Sequence, residues 1–194
     1  MKWNYKTYGI PDELFLRGKV PMTKAEVRSV TISKLKLKSD SVVVDVGAGT
    51  GSIAIEAAHI CRDGKVFAIE RNQEAVELIK INCEAFEVNI TILHGQGAEE
   101  LRKILSFDRV IIGGSGGELD EIISICYEKL AAGGICVVNS VTIETLYKAN
   151  EMLRKIGFKN IEVVSMSVAR GKNSGNYTLM EALNPVYIIS GYKE

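Results

Sequence analysis

An α/β fold with a mostly parallel sheet is predicted by three features of the chain. An apolar run, Val42-Val43-Val44-Asp45-Val46, stops at the turn Gly47-Ala48-Gly49-Thr50-Gly51, and a helical stretch follows. Strand-then-helix units of this kind succeed one another from residue 41 to residue 157. The chain then closes with two strand-like stretches that have no comparable helix between them. Alternating units build a parallel sheet covered by helices, and the closing strands add an antiparallel edge. A length of 194 residues fits one domain, 1–194, with an N-terminal segment and helix (1–40), the β-α units (41–157) and a C-terminal strand pair (158–194).

The elements follow from local chemistry. Residues 1–22 carry Pro11 and Pro21 and read as a segment wrapping the surface, with Phe15 and Leu16 as anchors. Arg17 and Lys19 either face an acidic ligand or stay solvated. Thr23-Lys24-Ala25-Glu26 fits a helix-capping box, which predicts a helix to about Lys36. Strand one is 41–46, and its nearly unbroken apolar run suits a strand covered on both faces. The helix 52–61 is apolar almost all round. Asp63-Gly64 turns into strand two, 65–69, which ends at Glu70-Arg71-Asn72. Asn72 is a good N-cap, and Val76, Ile79, Cys83 and Phe86 share one face of the helix after it. Strand three, 90–93, leads through Gln96-Gly97 into a short helix to about Ile104. Strand four, 108–112, runs into Gly113-Gly114-Ser115-Gly116-Gly117. The helix opening at Glu118 has Leu119, Ile122, Ile123, Cys126 and Leu130 as its core face. Ala132-Gly133-Gly134 reads as a C-cap and turn, 135–139 as strand five, and 142–156 as a helix closed by Gly157. Stretches 160–168 and 186–192 are the closing strands, and the polar segment 169–184 joins them.

Composition narrows the function. Lys plus Arg and Asp plus Glu each number 24, so the formal net charge is zero, and no overall basic excess favours nucleic acid or anionic lipid. No apolar run is long enough to span a bilayer, and no early segment has the layout of a signal peptide. Cys61, Cys83, Cys126 and Cys136 form no C-x-x-C pair, and His59 and His94 are not spaced with them as zinc ligands would be. Buried free thiols in a reducing cytoplasm are the expectation, with no metal site.

The turn at 47–51 carries the chemistry. In an α/β sheet it lies at the carboxyl end of a strand, where ligands bind, and glycines there admit a backbone or a ligand that a Cβ would exclude. Glu70 stands nineteen positions after Gly51, at the end of the neighbouring strand, where a carboxylate can accept from both hydroxyls of a ribose. Nicotinamide enzymes place an acid there too. The G-x-G-x-G spacing, with Ser52 where the dinucleotide fingerprint needs a third Gly or Ala, and the closing strand pair favour S-adenosylmethionine instead. Asp45 either supports the loop or meets the methionine amine. Gln96 can hydrogen-bond an adenine amino group while Gly97 leaves room for the ring, or the pair is a plain loop. Thr23 caps a helix that can also shelter the methionine end.

With Ala169-Arg170-Gly171 and Asn184-Pro185-Val186 added to the glycine turn, the Glu70 step and the loop at 113–117, the sequence resembles, at family level, the decarboxylating cobalt-precorrin-6B C15-methyltransferases of cobalamin biosynthesis, and the methylase half of bifunctional precorrin-6Y enzymes. The resemblance rests on Thr23-Lys24-Ala25-Glu26-Val27-Arg28, the turn from Asp45 to Gly51 and Ala68-Ile69-Glu70-Arg71-Asn72. It rests further on Gly113-Gly114-Ser115-Gly116-Gly117-Glu118-Leu119, Ala169-Arg170-Gly171 and Asn184-Pro185-Val186. It implies a Rossmann-like class I S-adenosylmethionine-dependent methyltransferase fold, a seven-stranded mostly parallel sheet with an antiparallel C-terminal strand, and a homotetramer. The cofactor-binding positions it implies are Thr23, Gly47, Ala48, Gly49, Thr50, Gly51, Glu70, Gln96 and Gly97. The Gln96-Gly97 step departs from the Asp or Ala frequent in the family.

The implied substrate is an anionic tetrapyrrole. Backbone N–H groups of Gly113, Gly114, Ser115, Gly116 and Gly117, before a helix N-terminus, can form an anion nest for it, and Arg170 can add a bidentate clamp. The alternatives are a flexible connector and a surface ion pair. Methyl transfer and loss of a ring acetate as carbon dioxide need positioning and a dry pocket more than a nucleophile, so no general base is named. Two rival readings remain at this stage: an RNA or protein methyltransferase on the same scaffold, and a binding protein that keeps the fold without turnover.

Overall fold

A computed structural model describes residue 3 and residues 5–194. The expectation of a surface-wrapping N-terminus therefore falls partly outside the described residues, at 1, 2 and 4. The chain alternates β1 (Val42–Val46), α2 (Ser52–Ile60), β2 (Lys65–Glu70), α3 (Gln73–Phe86), β3 (Thr91–His94), α4 (Gly97–Lys103), β4 (Phe107–Ile112), α5 (Leu119–Lys129), β5 (Leu130–Ser140) and α6 (Ile143–Ile156). α1 (Ala25–Leu35) precedes this series. After it come β6 (Lys159–Met166), β7 (Ala169–Ser174), β8 (Tyr177–Ala182) and β9 (Val186–Tyr192).

Seven strands form one sheet in the order β3-β2-β1-β4-β5-β9-β6. β1 pairs in parallel with both β2 and β4, so strand order reverses at β1 and opens a crevice beyond its carboxyl end. β9 is antiparallel to both β5 and β6. The antiparallel strand is thus not at the sheet edge, as the sequence suggested, but inserted one place inside it.

The alternating faces of β1 feed two cores. Val43 packs with Ile32, Ile55 and Ile79 on the α1–α3 side; Val44 and Val46 pack with Ile122, Cys126 and Leu153 on the α4–α6 side. Burial on both faces explains why β1 reads as an apolar run broken only by Asp45.

Three local expectations are corrected. Thr23 does not cap α1: Lys24 occupies the cap position, its side chain makes no cap bond, and Glu26 holds Arg170. Residues 132–134 do not form a turn before β5 but belong to its irregular first half, where Gly133 has φ +73 and its N–H bonds the Lys193 carbonyl at 2.7 Å. Segment 169–184 is not a plain connector: β7 and β8 pair as a separate antiparallel hairpin. All of β8 and most of β7 are exposed. With no buried face, no apolar alternation marks these strands in the sequence.

Candidate active site

A cleft of about 900 Å³ opens at the switch point between β1 and β4. Its floor is the turn after β1. Gly47, Gly49 and Gly51 all have positive φ, at 73°, 57° and 77°, a region costly for any residue with a Cβ. The N–H groups of Gly47 and Ala48 both donate to the Ile69 carbonyl, at 2.9 and 3.1 Å, which ties the turn to the tip of β2. A Cβ on Gly47 would stand 2.5 Å from the Gly114 carbonyl oxygen, and one on Gly51 would stand 3.1 Å from Ile79. The room these glycines leave is taken by loop 113–117 and by α3, not by a ligand as their spacing suggested. Gly47, Ala48, Gly49 and Thr50 line the cleft, whereas Gly51 does not.

Two carboxylates meet this floor. Glu70 accepts from the Gly49 N–H through Oε2 and from the Asn72 N–H through Oε1, each at 2.9 Å. Both oxygens are oriented by backbone, and an ionised carboxylate keeps further lone pairs for sugar hydroxyls. Asp45 is 1% exposed, and neither of its oxygens has a hydrogen-bond partner among the described residues. Burial pushes its pKa up to about 7, against the pull of the Ala54 backbone N–H, and the Glu70 charge adds to the rise. Thr50 Oγ1 is likewise buried and unpartnered. Native proteins rarely leave such groups unmade, because each forfeits a few kcal/mol of solvation. Both residues line the cleft, so a ligand bearing a cation and hydrogen-bonding groups would complete them.

The remaining predicted positions divide. Thr23, Gln96 and Gly97 line the cleft with the glycine turn and Glu70. The Gln96 side chain makes no cap bond to α4 and stays available. Gly97 does not make room for a ring: a Cβ there would press on Ile122 at 2.9 Å and on Val46 at 3.0 Å. Gly113, Gly114, Ser115 and Gly116 line the cleft and Gly117 does not. The predicted nest is smaller than expected, because Gly113 and Gly114 spend their N–H groups on the Val46 carbonyl, at 2.9 and 3.2 Å. Arg170 is not in the cleft. Its guanidinium holds Glu26 at 2.6 Å and Asp12 at 2.9 Å, the surface ion pair that was its alternative.

Several lining residues carried no motif. Asn139, at the carboxyl end of β5, donates through Nδ2 to Thr31 Oγ1 at 3.0 Å. The same hydroxyl lies 3.2 Å from Asn139 Oδ1 and reaches the Val27 carbonyl at 2.9 Å, so the amide is tied to α1. Val186 opens β9, and Val168, Leu183 and Asn184 lie in the connections that join β6 to β7 and β8 to β9. Their signal is topological: they reach the cleft only because β9 lies beside β5.

Residues 13–193 match the family described as "Precorrin methyltransferase domain". A curated protein of Pyrobaculum calidifontis, named "Probable cobalt-precorrin-6B C(15)-methyltransferase (decarboxylating)", is 48% identical, over 99% of this chain and 100% of its own length. The crystal structure of precorrin-6Y C5,15-methyltransferase from Geobacter metallireducens superimposes with a TM-score of 0.92 at 42% identity, covering 97% of this chain and all of that one. The precorrin 8W decarboxylase of Methanobacterium thermoautotrophicum gives 0.90 at 36% identity, covering 94% and 98%. A switch-point cleft with a glycine floor and an acid at the second strand tip, matched along nearly the whole chain, makes this protein a methyltransferase of the precorrin methyltransferase domain family.

Proposed function

We propose that the protein methylates C15 of cobalt-precorrin-6B and removes a ring acetate as carbon dioxide, with S-adenosylmethionine as the methyl donor. The observation that carries this reading is the unmet pair of cleft groups, Asp45 and Thr50, beside a Glu70 held open for a ribose. The residues fit such a nucleoside: Glu70 takes the sugar hydroxyls, Asp45 the methionine ammonium and Gln96 the adenine edge. Gly47 to Thr50 lie alongside, and Thr23 closes the methionine end. When bound, the donor supplies an electrophilic sulfonium methyl.

The chain's own part is positioning and exclusion of water. Asp45, once ionised against an ammonium, fixes one end of the donor. On the opposite side of the cleft Val168 and Val186 form an apolar wall that keeps water from the reacting carbon. A dry wall also favours loss of carbon dioxide, since a desolvated carboxylate gives up its carbon–carbon electron pair more readily to a conjugated ring.

The reading includes a homotetramer in the cytoplasm, with neither nucleic acid nor membrane as partner. Support for assembly comes from Tyr177, Leu179 and Met180 on the β7–β8 hairpin, which are 76%, 59% and 68% exposed and give copies of the chain apolar surface to bury. The four cysteines are free and buried, in keeping with a reducing compartment. Among the described residues no helix is long and apolar enough to cross a membrane.

The test is incubation with labelled S-adenosylmethionine and cobalt-precorrin-6B, followed by product mass. Gain of one methyl with loss of carbon dioxide supports the reading. Methyl transfer to RNA or protein in its place would replace it.

A further inference from the structure

We propose that Arg71 forms a carboxylate subsite at the seam between the donor and acceptor halves of the cleft, holding one acetate or propionate of the macrocycle against loop 113–117. The subsite rests on the tetrapyrrole reading above. Arg71 follows Glu70 at the end of β2, and its carbonyl oxygen accepts from the His94 ring at 3.1 Å, which pins the backbone there. The side chain leans across the loop after β4. A Cβ at Gly116 would stand 2.7 Å from Arg71 Nη1 and 3.2 Å from Cζ. Gly116, at φ +59, is thus bare where the guanidinium lies over it.

The charge is unspent. Arg28, Arg109 and Arg170 are all committed to carboxylates or carbonyls. The Arg71 guanidinium lines the cleft with no hydrogen bond or ion pair to any described residue. Beneath it, the N–H groups of Ser115, Gly116 and Gly117 have no acceptor among the described residues, whereas those of Gly113 and Gly114 do. A planar fork of N–H donors above a strip of free backbone N–H groups matches a carboxylate and nothing apolar. This places the clamp that the sequence assigned to Arg170 on a different arginine, one that also borders the donor site.

The experiment uses the full chain with Arg71→Gln and Arg71→Lys. Three quantities are read: the Kd of S-adenosylmethionine by calorimetry, the Kd of uroporphyrin (a polycarboxylate tetrapyrrole) by fluorescence at two salt concentrations, and KM with kcat for cobalt-precorrin-6B. Arg71→Gln is expected to weaken porphyrin binding and raise KM by about ten-fold or more, with a shallower salt dependence. Arg71→Lys should recover part of the loss, and donor affinity should stay within about two-fold. Unchanged porphyrin affinity in Arg71→Gln, or a loss confined to the donor, overturns the subsite while the wild-type activity stands. A wild type that neither binds uroporphyrin nor turns over the precorrin overturns the substrate reading and the subsite with it.

Discussion

At the scale of single residues, Asp45 is the group whose state the ligand decides. Its ordinary pKa of 3.8 is raised to about 7 in the fold by burial. Between those values the unfolded chain has lost the proton and the folded chain keeps it, so this residue's contribution to stability falls as pH rises from about 4 to about 7, then levels off. Asp45→Asn should therefore unfold at higher urea than wild type at pH 8, by up to about 4 kcal/mol, with the gap narrowing by pH 5. A gap independent of pH would contradict the assignment. The same group predicts that wild-type donor affinity rises as pH passes through about 7, where Asp45 ionises to meet the ammonium, while Asp45→Asn binds more weakly with a flat profile; calorimetry at several pH values reads this. The placing of Glu70 and Asp45 at one cleft was legible in the sequence because it follows from spacing along two adjacent strands. Arg71 was not, because its unspent charge shows only once the partners of Arg170 and the lean of its side chain over Gly116 are known.

At the scale of elements, a buried ion pair joins the N-terminal segment to the helices behind the glycine turn. Arg28 of α1 is wholly buried; it holds Glu56 of α2 at 2.6 Å, bonds the carbonyls of Ile10 and Thr23, and lies 4.8 Å from the Phe15 ring centroid. Glu56 also accepts the N–H groups of Gly9 and Ile10. Asn82 of α3 completes the join, bonding both backbone groups of Leu16 and the Thr50 carbonyl of the turn. Removing one charge strands the other, so Arg28→Met should cost about 3–5 kcal/mol in urea unfolding, and Arg28→Met with Glu56→Leu clearly less than the sum of the single changes. Additive losses would show that the two charges are not coupled. Arg170 is a contrasting case: at 39% side-chain exposure its pairs with Asp12 and Glu26 should contribute under about 1 kcal/mol. Arg170→Ala is expected to lower Tm slightly and leave KM for the tetrapyrrole unchanged; a large rise in KM would return it to the site. Phe15 was legible as an anchor, but the ion pair was not, because Arg28 reads as an ordinary helix charge until Glu56 is brought against it from 28 residues away. The β7–β8 hairpin escaped for the opposite reason, having no core face to pattern it.

At the scale of the whole molecule, chain order and apolar runs were enough to foresee the parallel units and the place of the cleft, since a ligand crevice opens where strand order reverses, at β1 between β2 and β4. They did not show that β9 would enter between β5 and β6, which carries Val186 and Asn184 to the cleft wall. The far half of the site is therefore a product of topology, and the near half a product of local sequence. Assembly belongs to this scale too: light scattering should give the mass of four chains, and Tyr177→Glu with Leu179→Glu should lower it if the hairpin is buried between copies. A wild-type mass of one chain would remove the tetramer.

The most direct measurement of the central claim, that Glu70 and the turn from Gly47 to Gly51 hold the methyl donor, is calorimetric titration of S-adenosylmethionine into wild type and Glu70→Ala. Wild type should bind one donor per chain, and the variant should bind about ten-fold or more weakly, since it loses hydrogen bonds to an ionised acceptor. Equal affinity in the two proteins would contradict it.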